Sequence, residues 1–212
     1  MPMSASNSNR FQRRRSETRR ALVRAARQIL AESGDTTASI RSIAEQADVG
    51  LGSFYNHFAS KQDLFDAAVA DALEEYADAI EGDLRALDDP AERVAGGVRL
   101  STRVAESRPQ IVRILCHSGL GRIHAGRGPL MLRAQRDMEQ GIASGRFAVA
   151  DPVIALSALN ASLLALLELW FTEPEIDSDQ AAGTMAEMLL HMLGLPEDEA
   201  RDVAQRPLGS AG

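Results

Sequence analysis

Apolar residues recur at helical spacing through most of this chain. Between Ser16 and Ser33, Leu22, Ala25, Ala26, Ile29 and Leu30 form one stripe while Arg19, Arg20, Arg24 and Arg27 fall off it, which predicts an amphipathic helix stopped by Gly34. Ile40, Ile43 and Ala44 begin a second, short helix that Ala47-Asp48-Val49 breaks, and a third follows over about 51–58. A fourth runs over about 60–87, with Leu64, Phe65, Ala68, Val69, Ala72, Leu73 and Tyr76 along one side and Asp88-Asp89-Pro90 at its end. Five more are expected over roughly 91–106, 108–117, 127–144, 152–172 and 178–194. Their breaks are Arg108-Pro109, a Gly-rich stretch from Gly119 to Gly128, Gly145, Asp151-Pro152, Glu173-Pro174 and Gly194. No strand pattern survives, and β-branched residues are sparse beside Ala and Leu, so the expected class is all-α. An N-terminal three-helix unit, 16–62, precedes a larger helical body, 63–195, with the fourth helix linking them. Residues 1–15 lack an apolar stripe and read as a disordered basic arm, and residues 196–212 read as a loose tail.

Residues 36–61, TTASIRSIAEQADVGLGSFYNHFASK, carry the most specific chemistry. Two short helices around a tight turn outline a helix-turn-helix, whose second helix enters a DNA major groove while the first crosses the backbone. The candidate DNA-binding residues are Arg41 and Ser42 on the first helix, Leu51, Gly52, Ser53, Tyr55, Asn56 and His57 on and after the second, and Lys61 one turn later. Hydroxyl, amide and basic groups so placed suit phosphate oxygens and base edges. Gly34, Ser39-Ile40-Arg41-Ser42-Ile43-Ala44, Gly52-Ser53-Phe54-Tyr55-Asn56-His57-Phe58 and Ser60-Lys61 together resemble the DNA-binding domain of TetR-family transcriptional regulators over about residues 16–75. The resemblance implies a symmetric dimer on a pseudo-palindromic operator, Arg41 at a base or phosphate, and Tyr55, His57 and Lys61 at phosphates. Two positions depart from the family pattern: Asp48 stands where the turn commonly has Gly, and Gly50 where Ser or Thr commonly precedes the recognition helix. Asp tolerates the left-handed conformation better than most residues, and Gly is an acceptable N-cap.

The net charge of −7 would argue against nucleic acid if taken whole. Residues 1–62, however, hold ten Lys/Arg against five Asp/Glu, a net +5, and the remaining 150 hold 13 against 25, a net −12. A basic head on an acidic body places the attractive field where DNA would dock. The arm, with Arg10, Arg13, Arg14 and Arg15, is open to two readings: a solvated tail, or a segment that reaches phosphates or a minor groove. One cysteine, Cys116, excludes an intramolecular disulfide and fits a reducing cytoplasm, and the start of the chain has no apolar signal segment. Cys116, His117 and His124 would be the residues of a metal or redox enzyme, but their spacing matches no common zinc pattern. Gly119-Leu120-Gly121 lacks the context of a phosphate loop. No catalytic role, metal or cofactor is expected.

Val153–Phe171 is 19 residues with one charge, Glu168. Ser157, Asn160 and Ser162 within it, and acids rather than basic residues at its edges, argue against a membrane span. A helix apolar on nearly all faces is instead expected to be buried between the body and a second subunit. The family resemblance implies the same, through a four-helix dimer interface built from 152–172 and 178–194, with Met185, Met188, Leu189, Met192 and Leu193 on the latter. Glu168 is then a pocket anchor or an interface partner for an arginine of the other subunit. A pocket among helices four to eight is expected for a small, largely apolar effector, with Leu115, Cys116, His117, Met131, Gln135, Asn160 and Leu164 as candidate lining residues. The reading is a dimeric repressor released from its operator by such a ligand. The alternative is a DNA-binding regulator without an inducer.

Overall fold

The computed structural model describes residues 4–125, 129–173 and 175–208, and among them it is helical with no strand. Its helices are α1 (Ser4–Ser33), α2 (Ile40–Gln46), α3 (Leu51–Tyr55), α4 (Lys61–Leu84), α5 (Pro90–Ser107), α6 (Pro109–Ala125), α7 (Pro129–Ala143), α8 (Pro152–Thr172), α9 (Ser178–Met192) and α10 (Glu197–Gln205). Starts are set by side chains that accept from orphan backbone N–H groups: Ser39 for α2, Asp89 for α5, Asp151 for α8 and Asp177 for α9. Ser60 and Asp63 form a full capping box at α4. Pro90 and Pro152 occupy first helical positions, where a missing N–H costs nothing.

Two apolar clusters hold these helices together. The first unites α1–α4 with α6 through Leu22, Leu30, Ile43, Phe54, Phe65 and Ile114, so the head and part of the body share one core. The second joins α5 and α7–α10 through Val98, Met138, Phe147, Leu190, Leu193 and Val203. His117 of α6 ties the first cluster at the head–body seam. Its Nδ1 lies 2.7 Å from the Leu30 carbonyl at the end of α1, and its ring packs against Gly34, where any Cβ would approach it to 3.0 Å. Gly34 also has φ 65, a left-handed stop that glycine adopts freely. On the other flank Arg27 of α1 donates to Asp71 and Glu75 of α4 at 2.6 Å each.

Three expectations change. α1 begins at Ser4, so residues 4–15 of the expected arm are helical. They offer no apolar face, but neither Gly nor Pro interrupts Ser4–Ser33, and extending an existing helix avoids the nucleation cost. Arg13 adds an i,i+4 pair with Glu17 at 2.9 Å. The tail is not loose over 197–205: Ala200, Val203 and Ala204 of α10 are buried, three small apolar residues that a charged segment conceals. α6 continues past 117, with a break at Gly119 (φ 71), a conformation open to glycine.

α8 is long and apolar enough, by length and composition, to cross a membrane, with a mean hydropathy of 1.8, and 11% of that stretch is buried within the chain. The expected burial on nearly all faces is therefore supplied only in small part by its own chain, at Ala155, Leu166 and Leu167. Val153 and Ile154 are 77% and 68% exposed, and Met188 of α9 is 62% exposed.

Candidate DNA interface and body cavity

The turn between α2 and α3 is made by Asp48, whose φ of 54 lies in the left-handed region, with the Val49 N–H bonded to the Ala44 carbonyl at 3.0 Å. Ile43, Ala44, Phe54 and Phe58 are buried beneath it, fixing α3 by its inner face. Gly50 caps α3 without a side-chain hydrogen bond. Arg41, Ser42, Leu51, Gly52, Tyr55 and Asn56 are exposed on the outer face, and Ser53 and His57 are half-buried. Tyr55 touches the Phe54 ring edge-on at 5.3 Å yet is 62% exposed, so its phenol stays available outside the core. Lys61 Nζ donates to the Thr37 carbonyl at 3.0 Å, which steadies the loop before α2.

The helical form of α1 brings Arg14, Arg15 and Thr18 alongside Ser53, Asn56 and His57, around a hollow of about 510 Å³. Arg19 lies over the Phe58 ring at 5.2 Å. Burial first, then the charges of Arg15 and Arg19, lower the His57 pKa from its ordinary value.

In the body, a cavity of about 120 Å³ lies between α4, α5, α7 and α8. Its apolar wall includes Ile80, Leu84, Val98, Met131, Met138 and Leu163. Its polar groups are Tyr76, Ser101 and Asn160, with two ion pairs, Arg93–Asp137 at 3.1 Å and Arg133–Glu81 at 3.0 Å. Ser101 donates to the Gly97 carbonyl at 2.5 Å, so Tyr76 is the donor in their mutual hydrogen bond. Burial pushes the Tyr76 phenol up to about 12, which keeps it protonated. Burial would also raise Glu81, but hydrogen bonding from Arg85 and the charges of Arg133, Arg85 and Arg93 hold it below its ordinary value. Arg93 spends one terminal nitrogen on the Leu84 carbonyl at 3.0 Å and the other on Asp137, while its buried Nε has no partner.

Of the residues expected to line a pocket, Met131 and Asn160 meet here, the Asn160 amide nitrogen 3.7 Å from the Met131 sulfur. Leu115, Cys116 and His117 do not line it, because α6 turns its apolar side to α1 and α4 on the far flank of α4. Leu164 packs against the first core, and Gln135 is exposed and bonded to Glu139. Burial, then the charge of Glu168, pushes the Cys116 thiol up to about 12, far from a reactive thiolate. The His124 side chain lies outside the described residues. Sequence reading missed Tyr76 as more than core, and missed Arg93, Asp137, Glu81 and Arg133 altogether. Each ion pair joins residues 44 or 52 apart, which no local pattern reveals.

Comparison with known proteins agrees with this architecture. A family model described as bacterial regulatory proteins, tetR family, matches residues 22–68, and one described as tetracyclin repressor-like, C-terminal domain, matches 89–206. The chain is 30% identical over 94 residues to the HTH-type transcriptional regulator BetI of Rhizobium meliloti (strain 1021), a match that spans 44% of this chain and 46% of that relative. Among solved structures, RolR without ligand is 31% identical with a TM-score of 0.71, covering 91% of this chain and 98% of that one. RolR in complex with resorcinol is 30% identical with a TM-score of 0.65, covering 95% and 100%.

Proposed function

The chain belongs to the TetR family of bacterial regulatory proteins, DNA-binding transcriptional regulators with a helical ligand-binding domain, and on that premise we propose that it is a cytoplasmic dimeric repressor released from a pseudo-palindromic operator by a small hydroxylated aromatic molecule. The body cavity carries this reading. At about 120 Å³ it approaches the volume of about 150 Å³ that holds a benzene ring in an engineered apolar cavity. A long acyl chain would not fit. Its two ion pairs and the Asn160 amide offer hydrogen bonds for ring hydroxyls, and RolR, similar over nearly its whole length, holds resorcinol.

Arg41 would read a base edge, and Tyr55 and Lys61 would hold phosphates. The bare faces of α8 and α9, with Val153, Ile154 and Met188 outward, would meet their copies in the second subunit, and this apolar contact is the occupant preferred over a bilayer. α4 then transmits the signal. Tyr76, Ile80, Glu81 and Leu84 line the cavity, while Asp71 and Glu75 on the same helix hold Arg27 of the head. A ligand that tilts α4 changes the separation of two recognition helices that must match two half-sites. Operator can be selected from a randomised duplex pool and then titrated with resorcinol. Ligand and operator should weaken each other by one common factor of about 5–150-fold. Equal ligand affinity with and without saturating operator, for a ligand shown to occupy the body, would remove induction and leave DNA binding standing.

A further inference from the structure

The hydroxyl pair on the wall of the body cavity has a fixed direction. Ser101 has a single proton and gives it to the Gly97 carbonyl, one turn earlier on α5, at 2.5 Å. Its oxygen can then only accept from the Tyr76 hydroxyl, with which it is in hydrogen-bonding contact. The chain therefore runs one way, from Tyr76 through Ser101 to Gly97, and the Tyr76 oxygen keeps lone pairs but no proton for any other partner. Tyr76 is 4% exposed and Ser101 0%, so solvent offers that proton no alternative acceptor. The other polar wall groups lean the same way. Arg93 and Arg133 are turned to Asp137 and Glu81, whose carboxylates only accept. Asn160 is the wall group that offers both senses, its amide nitrogen facing the Met131 sulfur, a weak acceptor, at 3.7 Å.

We propose that the cavity selects its effector by the hydrogen bonds the effector donates: Tyr76 accepts from a proton-bearing group of an uncharged ring compound, and Ser101 is the positioning residue that holds Tyr76 in that sense. The inference rests on the reading of this cavity as the effector site and names the chemistry that the site selects. A ring O–H or N–H finds a lone pair at Tyr76. A carbonyl or ether oxygen in the same place faces lone pair against lone pair. The Tyr76 proton cannot turn to meet it without giving up the bond to Ser101, a buried group that would then go unpaired.

Benzyl alcohol and benzaldehyde are the test pair. Each has as many non-hydrogen atoms as resorcinol and a single oxygen, which donates in the alcohol and only accepts in the aldehyde. Calorimetric titration of the full chain, directly or by displacement of resorcinol, gives both affinities for wild type, Ser101→Ala and Tyr76→Phe. Circular dichroism and thermal unfolding check that each variant folds; should one fold poorly, the ratio in the other decides. Wild type should prefer the alcohol by about 5–100-fold. Ser101→Ala frees the Tyr76 hydroxyl to turn and donate, so it should bind the aldehyde more tightly and bring the ratio close to unity. Tyr76→Phe should reach a similar ratio by the opposite route, through lost affinity for the alcohol. A packing role alone would shift both ligands together and leave the ratio intact. Equal affinities in wild type, or a preference for the alcohol that survives in either variant, overturns the proposal while bound resorcinol keeps the effector reading standing. A wild-type chain that binds none of the three compounds removes the effector reading and this inference together.

Discussion

Gly97 offers a way to close the cavity without touching its charged groups. It lies inside α5 on the cavity wall, and a Cβ built there meets nothing within 4 Å. Gly97→Leu should recover about 0.8 kcal/mol of helix propensity. Burying the isobutyl group in the void adds about 1.5–3 kcal/mol, offset by about 0.5–1 kcal/mol of side-chain ordering. A net stabilisation of about 1–2.5 kcal/mol follows once the cavity's open side is allowed for, or roughly 3–8 °C in Tm for a chain of this size. The neighbouring Gly96 is the contrast, since a Cβ there meets Leu84 at 3.1 Å and Leu87 and Leu208 at 3.2 Å. Leucine at 96 should cost about 1–3 kcal/mol through overpacking. Urea unfolding at fixed protein concentration reads both variants. Operator titration with resorcinol should then find Gly97→Leu bound to DNA as tightly as wild type but no longer released. A destabilised Gly97→Leu, or one released at the wild-type ligand concentration, would refute the assignment of this void as the effector site.

Arg41→Ala should relax specificity at one base pair per half-site by about 1–3 kcal/mol, and a binding profile over a randomised operator with unchanged shape would exclude base reading. Ile154→Asp places a charge on each subunit's bare α8 face and forfeits about 1.5–3 kcal/mol of apolar burial per side. Sedimentation equilibrium should show dissociation at concentrations where wild type is paired; an unchanged dimer would place the interface elsewhere. Arg146 grips Asp89 through two nitrogens at 2.9 Å and also binds Glu199. Burial would raise Asp89, but hydrogen bonds from Arg146 and the Ala91 N–H, with the Arg146 and Arg206 charges, hold it below 3.8. That stabilisation is present above the ordinary carboxylate value and is lost as pH falls through the depressed one. Arg146→Met should therefore cost about 1–3 kcal/mol at neutral pH and flatten the acid limb of a stability-against-pH curve. Parallel acid limbs in the two proteins would count against the pair.

The fold was largely legible because its helices announce themselves by apolar spacing and by caps such as Ser39, Ser60 and Asp151. The turn at Asp48 was legible too, since few residues other than glycine take φ 54 so readily. α10 was not, because its buried face is only Ala200, Val203 and Ala204 among charges. α1 was read from its stripe, and a polar extension of a helix has no stripe to read. The candidate DNA-binding residues are close together in sequence and so could be named together. The cavity could not: Arg93 meets Asp137, and Arg133 meets Glu81, only after α4, α5 and α7 have packed.

α10 has a bearing on how the molecule is made. Arg206 reaches back to Glu92 at 2.5 Å, and Arg99 donates to the Arg206 carbonyl, contacts spanning 114 and 107 residues. Glu199 meets Arg146 in the same region. The first core needs little beyond α6, apart from contributions of α8, and can condense while the chain is still leaving the ribosome. The second lacks three of its buried residues until α10 has emerged. A nascent chain thus presents an assembled helix-turn-helix well before its α5–α9 layer can close, and in that interval α8 is the greasiest surface in reach of chaperones and of other nascent copies.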